Sequence, residues 1–213
     1  MMRKLKKWSC LLLALLMLPA LAACGRSSSP TAMPRRTRCR TPVPRRIAPH
    51  RGADKVLVVY FSATGSTKAV AGYIAETLGA DTFELTPQEP YLAADLDYNN
   101  SESRACREHE NVSLQDVALT SATVEHWEQY STVFVGYPIW WGDAPRIIST
   151  FLESYDFSGK TLVPFCTSGG SGIRASQDNL AALTGDAQWL EGTRFNPGVS
   201  QDALSDWVDG LGL

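Results

Sequence analysis

The first 53 of the 213 residues contain no aspartate or glutamate. All 22 carboxylates fall in residues 54–213, against eight of the 20 lysines and arginines, so that part carries a formal charge of −14. A balance this acidic argues against nucleic acid as its partner. It suits a solvated surface, and it permits docking to a basic partner. Histidine is scarce too: of three in the chain, only His109 and His126 lie in the acidic part. Neither has metal-ligand spacing around it, which leaves solvated or capping roles. Ser168 lacks the G-x-S-x-G setting of a nucleophile elbow, and no Ser/His/Asp set can be nominated. The five cysteines form no framework. Only Cys106 and Cys166 belong to the acidic part, and the sequence does not bring them within bonding reach, although an extracytoplasmic disulfide is allowed. The apolar run Leu11 to Ala23 is too short to span a membrane comfortably as a permanent helix.

What is present centres on Lys55 to Leu78, K-V-L-V-V-Y-F-S-A-T-G-S-T-K-A-V-A-G-Y-I-A-E-T-L. Val56 to Phe61 is apolar on both alternating faces, the pattern of a strand buried in a parallel sheet. Val70, Ala71, Ile74, Ala75 and Leu78 then recur at helical spacing, and Gly79 supplies the stop. Between them lie Ser62, Ala63, Thr64, Gly65, Ser66 and Thr67, with four hydroxyls and one glycine. Free N–H groups and the positive end of the helix dipole converge on this loop, which makes it an anion site. It is neither G-x-x-x-x-G-K-[ST] nor G-x-G-x-x-G. With Lys68 as its one nearby cation, it suits a terminal phosphate monoester held by hydrogen bonds.

Further along, Asp81 to Leu85 reads as a second strand. Thr86 to Thr120 is long, polar and broken by Pro87 and Pro90; it predicts a short helix near Glu102 to Glu110, and its length suggests a segment that covers a site. Thr132 to Tyr137 is a third buried strand, running into Pro138, Ile139, Trp140, Trp141, Gly142 and Asp143. A helix follows with Pro145 near its first position. Thr161 to Cys166 is a fourth strand, although Pro164 removes an N–H there. Thr167, Ser168, Gly169, Gly170, Ser171 and Gly172 come next, then a helix over about Ile173 to Leu183, a fifth strand at Gln188 to Glu191, and a last helix capped by Ser200. Strands alternating with helices predict an α/β fold with a parallel sheet and right-handed crossovers. The loops 62–67, 138–143 and 167–172 all follow strand C-terminal ends, so they converge on one crevice.

Ser62, Thr64, Gly65 and Thr67 match [ST]-x-T-G-x-[ST], and this resembles the phosphate loop of the flavodoxin-like family, over about residues 54–213. The resemblance implies a three-layer α/β/α domain with a five-stranded parallel sheet of order 2-1-3-4-5, of the short-chain kind, and FMN as cofactor. Trp141-Gly142-Asp143 is similar to a W-G-D that some flavodoxins place against the flavin. By that match Trp141, or Trp140 in its place, stacks on the ring and the Gly142 carbonyl faces flavin N5. Pro138 and Ile139 line the same loop, and Thr167, Ser168, Gly169, Gly170 and Gly172 bring backbone close to the ring. No aromatic stands in 167–172, where flavodoxins often carry one, which leaves one flavin face open.

The N-terminus reads as an address. Arg3, Lys4, Lys6 and Lys7 precede the apolar run, and Leu21-Ala22-Ala23-Cys24 resembles a bacterial lipobox. That resemblance implies a signal peptide over 1–23, lipid on Cys24, and a protein held on the extracytoplasmic side of a membrane. Residues 24–53, with seven arginines between Arg35 and Arg51, read as a solvated linker; adhesion to an anionic membrane surface is the alternative. Three functions follow: a membrane-anchored FMN electron carrier serving a redox partner protein or a small-molecule electron acceptor, an FMN-dependent NAD(P)H or quinone-type reductase, or a flavin-free binding module.

Overall fold

The structure is a computed structural model that describes residues 55–111 and 116–213. The signal peptide expected over 1–23, Cys24, Cys39, the arginine-rich stretch read as a linker and the expected boundary at residue 54 lie outside the described residues.

Strand β1 (Lys55–Tyr60) divides its side chains between two cores. Leu57 and Val59 enter one, Val58 and Tyr60 the other. Helix α1 (Ser66–Leu78) follows and ends at Gly79. With φ at 60°, Gly79 adopts the left-handed conformation that closes a helix C-terminus, and Ala80 donates to the Ala75 carbonyl at 2.9 Å. Strand β2 is Asp81–Glu84, β3 is Tyr130–Pro138 and β4 is Thr161–Thr167. Helices α3 (Arg146–Leu152), α4 (Arg174–Ala181) and α5 (Gln201–Gly210) complete the crossovers. With β5 at Gln188–Trp189, the described strands pair in parallel in the order β2-β1-β3-β4-β5. Helices α1 and α5 cover one face of the sheet through Val70, Ile74, Leu204 and Val208, and α3 and α4 cover the other through Ile147, Phe151 and Leu180. The three-layer α/β/α arrangement expected from the sequence is present.

Several bounds differ from the sequence reading. Strand β3 begins two residues early, because Tyr130 is itself buried and donates from its hydroxyl to Asp81 Oδ2 at 2.8 Å. Helix α3 begins only after Pro145, which holds the cap position with extended backbone. Tyr155 lies beyond the end of that helix, and its hydroxyl bonds the Ala122 carbonyl and the Val124 N–H. The fifth strand is split: β5 is Gln188–Trp189 and β6 is Thr193–Phe195, both paired with β4.

Pro164 explains the split. In a parallel strand alternate residues bond opposite neighbours. Leu190 donates to the Leu162 carbonyl at 2.9 Å, so Leu162 and Pro164 address the fifth strand, and Pro164 has no N–H to give. The chain departs there. Gln177 of α4 takes over the pairing: its Oε1 accepts from Gly192 N–H at 3.0 Å and its Nε2 donates to the Leu190 carbonyl at 2.9 Å. A Cβ at Gly192 would meet Pro164 Cγ at 2.7 Å, so only glycine fits the bend.

The long segment after β2 is closed at its base. Pro87 bridges Leu119, Gln88 N–H donates to the Ala118 carbonyl and Thr120 N–H to the Thr86 carbonyl, both at 2.8 Å. Within it stands helix α2 (Arg104–Glu110), whose first turn is capped by Ser103 Oγ. Cys106 and Cys166 are both buried and free, so they do not pair. Burial pushes the Cys166 thiol up to about 12. Among the described residues no helix is long and apolar enough to cross a membrane.

Two substitutions test this packing. A Cβ at Gly136 would lie 2.2 Å from Phe165 Cζ. Gly136→Ala is expected to destabilise the fold by about 1–3 kcal/mol in denaturant titration, with part of the loss recovered by Phe165→Leu. Gln177→Leu leaves the Gly192 N–H and the Leu190 carbonyl unpaired. It is expected to cost about 1–3 kcal/mol, whereas Gln177→Glu keeps the acceptor and costs less.

Candidate functional site

The six-residue loop 62–67 crosses from the end of β1 to the start of α1 with its backbone turned by Gly65. There φ is 89°, a left-handed value that favours glycine. Gly65 N–H donates to Ser62 Oγ at 3.1 Å, and no side chain caps the helix. The helix ladder starts with Ala69 N–H on the Gly65 carbonyl, so the N–H groups of the first turn are left over by it. A Cβ at Gly65 would meet nothing within 4 Å. Thr64 and Gly65 are exposed, and Ser62, Ala63 and Ser66 half-buried. The nearest cation, Lys68, is held by Glu84 at 2.6 Å. The loop is therefore neutral and open, with hydroxyl and N–H donors, and it fits a phosphate monoester bound by hydrogen bonds.

Thr67 stands apart from its neighbours. Its side chain is buried, and its Oγ1 lies 2.8 Å from Oγ1 of Thr167, itself buried at the end of β4. This contact ties the first loop to the third. Ser168 follows, with its N–H on the Phe195 carbonyl at 3.1 Å and its own carbonyl held by Arg194 at 3.0 Å. Ser168 Oγ accepts from Gly170 N–H at 3.2 Å, the same short-range device that Ser62 uses on Gly65. A Cβ at Gly169, Gly170 or Gly172 would meet no heavy atom of another part of the chain within 4 Å, so backbone here is accessible to a flat ligand.

The second loop is a tight turn. Trp140 N–H bonds the Asp143 carbonyl at 2.8 Å and Asp143 N–H bonds the Trp140 carbonyl at 2.9 Å. Trp141 and Gly142 between them both have positive φ, 53° and 82°, as in a type I′ turn. Glycine takes this conformation freely; a tryptophan does not, and its presence there marks local strain. Ile139 N–H donates to the Thr167 carbonyl at 3.0 Å, and Asn179 Nδ2 of α4 donates to Asp143 Oδ2 at 2.9 Å. The turn is thus joined to the third loop and to the helix behind it. Pro138, Ile139 and Trp140 are half-buried, whereas Trp141 is 45% exposed.

The two tryptophans, interchangeable in the sequence, are separated by the structure. Trp140 turns inward, edge to face with Phe61 at 5.6 Å and Tyr91 at 5.1 Å. Trp141 turns outward, stacked on His109 at 5.3 Å and 16°, with Tyr98 against it at 5.2 Å. His109 is exposed, but it is a stacking partner and not simply solvated. His126 stands exposed at the N-terminal end of a 3₁₀ turn and its side chain makes no capping bond, so it fits the solvated reading.

Sequence reasoning missed the support for this turn. Glu108 is buried and accepts from Tyr91 Oη at 2.5 Å and from Arg104 Nε at 2.6 Å. Arg104 also lies 4.0 Å over the Tyr91 ring and donates to the Glu89 carbonyl. Burial, and then the Glu108 carboxylate, push the Tyr91 phenol far above its ordinary range, so it stays a hydroxyl donor. Arg194 was also missed. The one sequence signal for any of these was the excessive length of the polar segment that carries Tyr91 and His109. Open clefts lie beside the crevice: one is lined by Glu108, His109, Trp140, Trp141 and Arg146, and another by Phe61, Ser62, Ala63, Thr86 and Tyr91.

The Flavodoxin_4 family model, described as flavodoxin, matches residues 55–211. Among solved structures, a Bacteroides eggerthii DSM 20697 protein assigned as a flavoprotein is 42% identical, with a TM-score of 0.68 over 75% of this chain and 98% of that one. A Bacteroides uniformis ATCC 8492 protein assigned likewise is 39% identical, with a TM-score of 0.68 over 75% of this chain and 99% of that one. A flavoprotein from Lactobacillus acidophilus NCFM, solved in complex with FMN, shares the fold at 20% identity and a TM-score of 0.56, over 74% of this chain and 99% of that one. A search of the curated proteins finds no match. The strand order, the hydroxyl-rich loop and these matches agree, and the chain belongs to the flavodoxin family.

Proposed function

We propose that this protein binds FMN and works as an electron carrier held to the extracytoplasmic side of a bacterial membrane. The observation that carries the FMN reading is the Thr67–Thr167 contact of 2.8 Å. It fixes the neutral anion loop beside the open glycine loop, so that a phosphate and a planar ring on one ligand can be received together. Ser62, Thr64, Ser66 and the first-turn N–H groups of α1 hold the phosphate. Thr67 acts through its backbone and through its grip on Thr167. Trp141, Gly142 and the 168–172 backbone receive the ring, with Pro138, Ile139 and Trp140 behind the turn. Bound FMN supplies one- and two-electron chemistry; the chain positions it, excludes water from one side and sets its electrostatic surroundings. A domain this acidic opposes added negative charge on a bound group, and the same charge favours a basic redox partner over an anionic one.

A second reading has its own observation. A Cβ at Gly169, Gly170 or Gly172 would meet nothing within 4 Å, and such open space beside the ring gives a small molecule a way in, as a quinone or NAD(P)H reductase requires. NAD(P)H oxidation by the FMN-loaded protein, above the rate of free FMN, would favour this reading over the carrier. A protein that stays colourless after incubation with FMN would leave the fold as a flavin-free binding module.

Membrane attachment rests on Leu21-Ala22-Ala23-Cys24. One acyl chain holds weakly and a fully lipidated cysteine holds firmly. Cys24→Ser is expected to move the protein from the membrane fraction to the soluble one; unchanged fractionation would assign the anchor elsewhere.

Thr64→Ala combined with Ser66→Ala tests the phosphate site without disturbing the buried Thr67 pair. Each hydrogen bond lost to a charged phosphate costs about 1.5–3 kcal/mol. FMN affinity measured by fluorescence titration is expected to fall by roughly tenfold or more, while riboflavin affinity stays unchanged. Equal losses for the two ligands would remove the loop from the phosphate site.

A further inference from the structure

We infer that His109 is a positioning residue for the planar ligand: its imidazole backs one face of Trp141 and so presents the other face to the crevice. The inference rests on the FMN reading above and adds a residue from outside the three strand-end loops.

Three observations lead to it. The first is the stack itself, with ring centroids 5.3 Å apart and planes within 16°. The second is the backbone beneath it. Trp141 holds φ at 53° in a turn whose other central residue is glycine. A bulky residue keeps such a conformation only where its surroundings hold it. Within the turn, Trp141 has no packed core to hold it, since 45% of it is exposed; the ring contacts that do hold it come from His109 and Tyr98.

The third observation is topological. The sheet runs β2-β1-β3-β4, and the turn 140–143 leaves the end of β3. Loop 167–172 leaves β4, on one side of that turn. The segment carrying His109 leaves β2, on the other side. The strand order thus starts the His109 segment on the side of the turn away from the glycine loop, and in this inference His109 approaches Trp141 from that side. A ring received between the turn and the glycine loop meets the face of Trp141 that His109 does not cover. The histidine is firmly delivered: one helical step before it, Glu108 is clamped by Tyr91 and Arg104, and Tyr91 packs on Trp140. An aromatic plane on the back of Trp141 fixes the indole without competing for its front.

The test uses the full chain and its His109→Ala and His109→Phe variants. His109 is exposed, so neither change threatens the core. FMN and riboflavin affinities are measured by fluorescence titration, and the circular dichroism of the bound flavin's visible bands reports ring geometry. Loss of a stacked pair predicts an affinity about three- to tenfold weaker in His109→Ala. The loss should be similar for FMN and riboflavin, because it acts at the ring end, and the visible dichroism should change. His109→Phe restores the plane and should recover affinity and dichroism together. Tighter binding in His109→Ala would overturn the inference, because it would mean that His109 occupies the ring's own place. Unchanged affinity and dichroism, or a loss that His109→Phe does not recover, would overturn it as well. A wild-type protein that takes up no flavin would overturn the FMN reading and this inference with it. That outcome is distinct from a failure of His109 alone, in which the wild type binds.

Discussion

Burial of the central strands on both faces governs everything else here. Strands β1, β3 and β4 each send alternate side chains into two separate cores, so each must be covered by helices above and below. Parallel strands joined by right-handed helical crossovers meet that demand. They also bring the loops after β1, β3 and β4 to one edge of the sheet. The candidate site is a consequence of this arrangement before it is a property of any residue. The buried Thr67–Thr167 hydroxyl pair then fixes the spacing between two of the loops. Ile139 N–H on the Thr167 carbonyl brings in the third, so Thr167 is the residue at which the three loops are tied.

What could be read from the sequence is what depends on near neighbours. The apolar run at 56–61, the helical spacing after it and the stop at Gly79 are local signals, and the structure returns them almost unchanged. The hydroxyl loop is local as well, since its chemistry needs only a strand before it and a helix after it. Pro164 was visible as a difficulty, but its resolution was not. The residue that compensates for it, Gln177, comes from a helix, and nothing in a lone glutamine announces that it will pair with a bent strand.

The segment from Thr86 to Thr120 marks the opposite limit. Its order comes from contacts between residues far apart in the chain: Pro87 with Leu119, Tyr91 with Glu108, His109 with Trp141. No periodicity encodes such pairs. The same holds for the two tryptophans. Their sequence positions are equivalent, and their fates diverge because the type I′ turn points successive side chains in different directions. Trp140 falls onto Phe61 and Tyr91, while Trp141 is left on the surface for His109 to cover on one face.

The break between β5 and β6 also bears on how this protein meets copies of itself. An outer strand with a long row of unpaired N–H and C=O groups is a template on which another chain can lay a strand. Here the outer strand runs two residues, bends at Gly192, and resumes for three. Inside the bend, Gln177 occupies the Gly192 N–H and the Leu190 carbonyl. A foreign strand that approached would lose register before it had formed a ladder. The proline that spoils the regularity of the sheet from within thus also makes its margin a poor seed for aggregation.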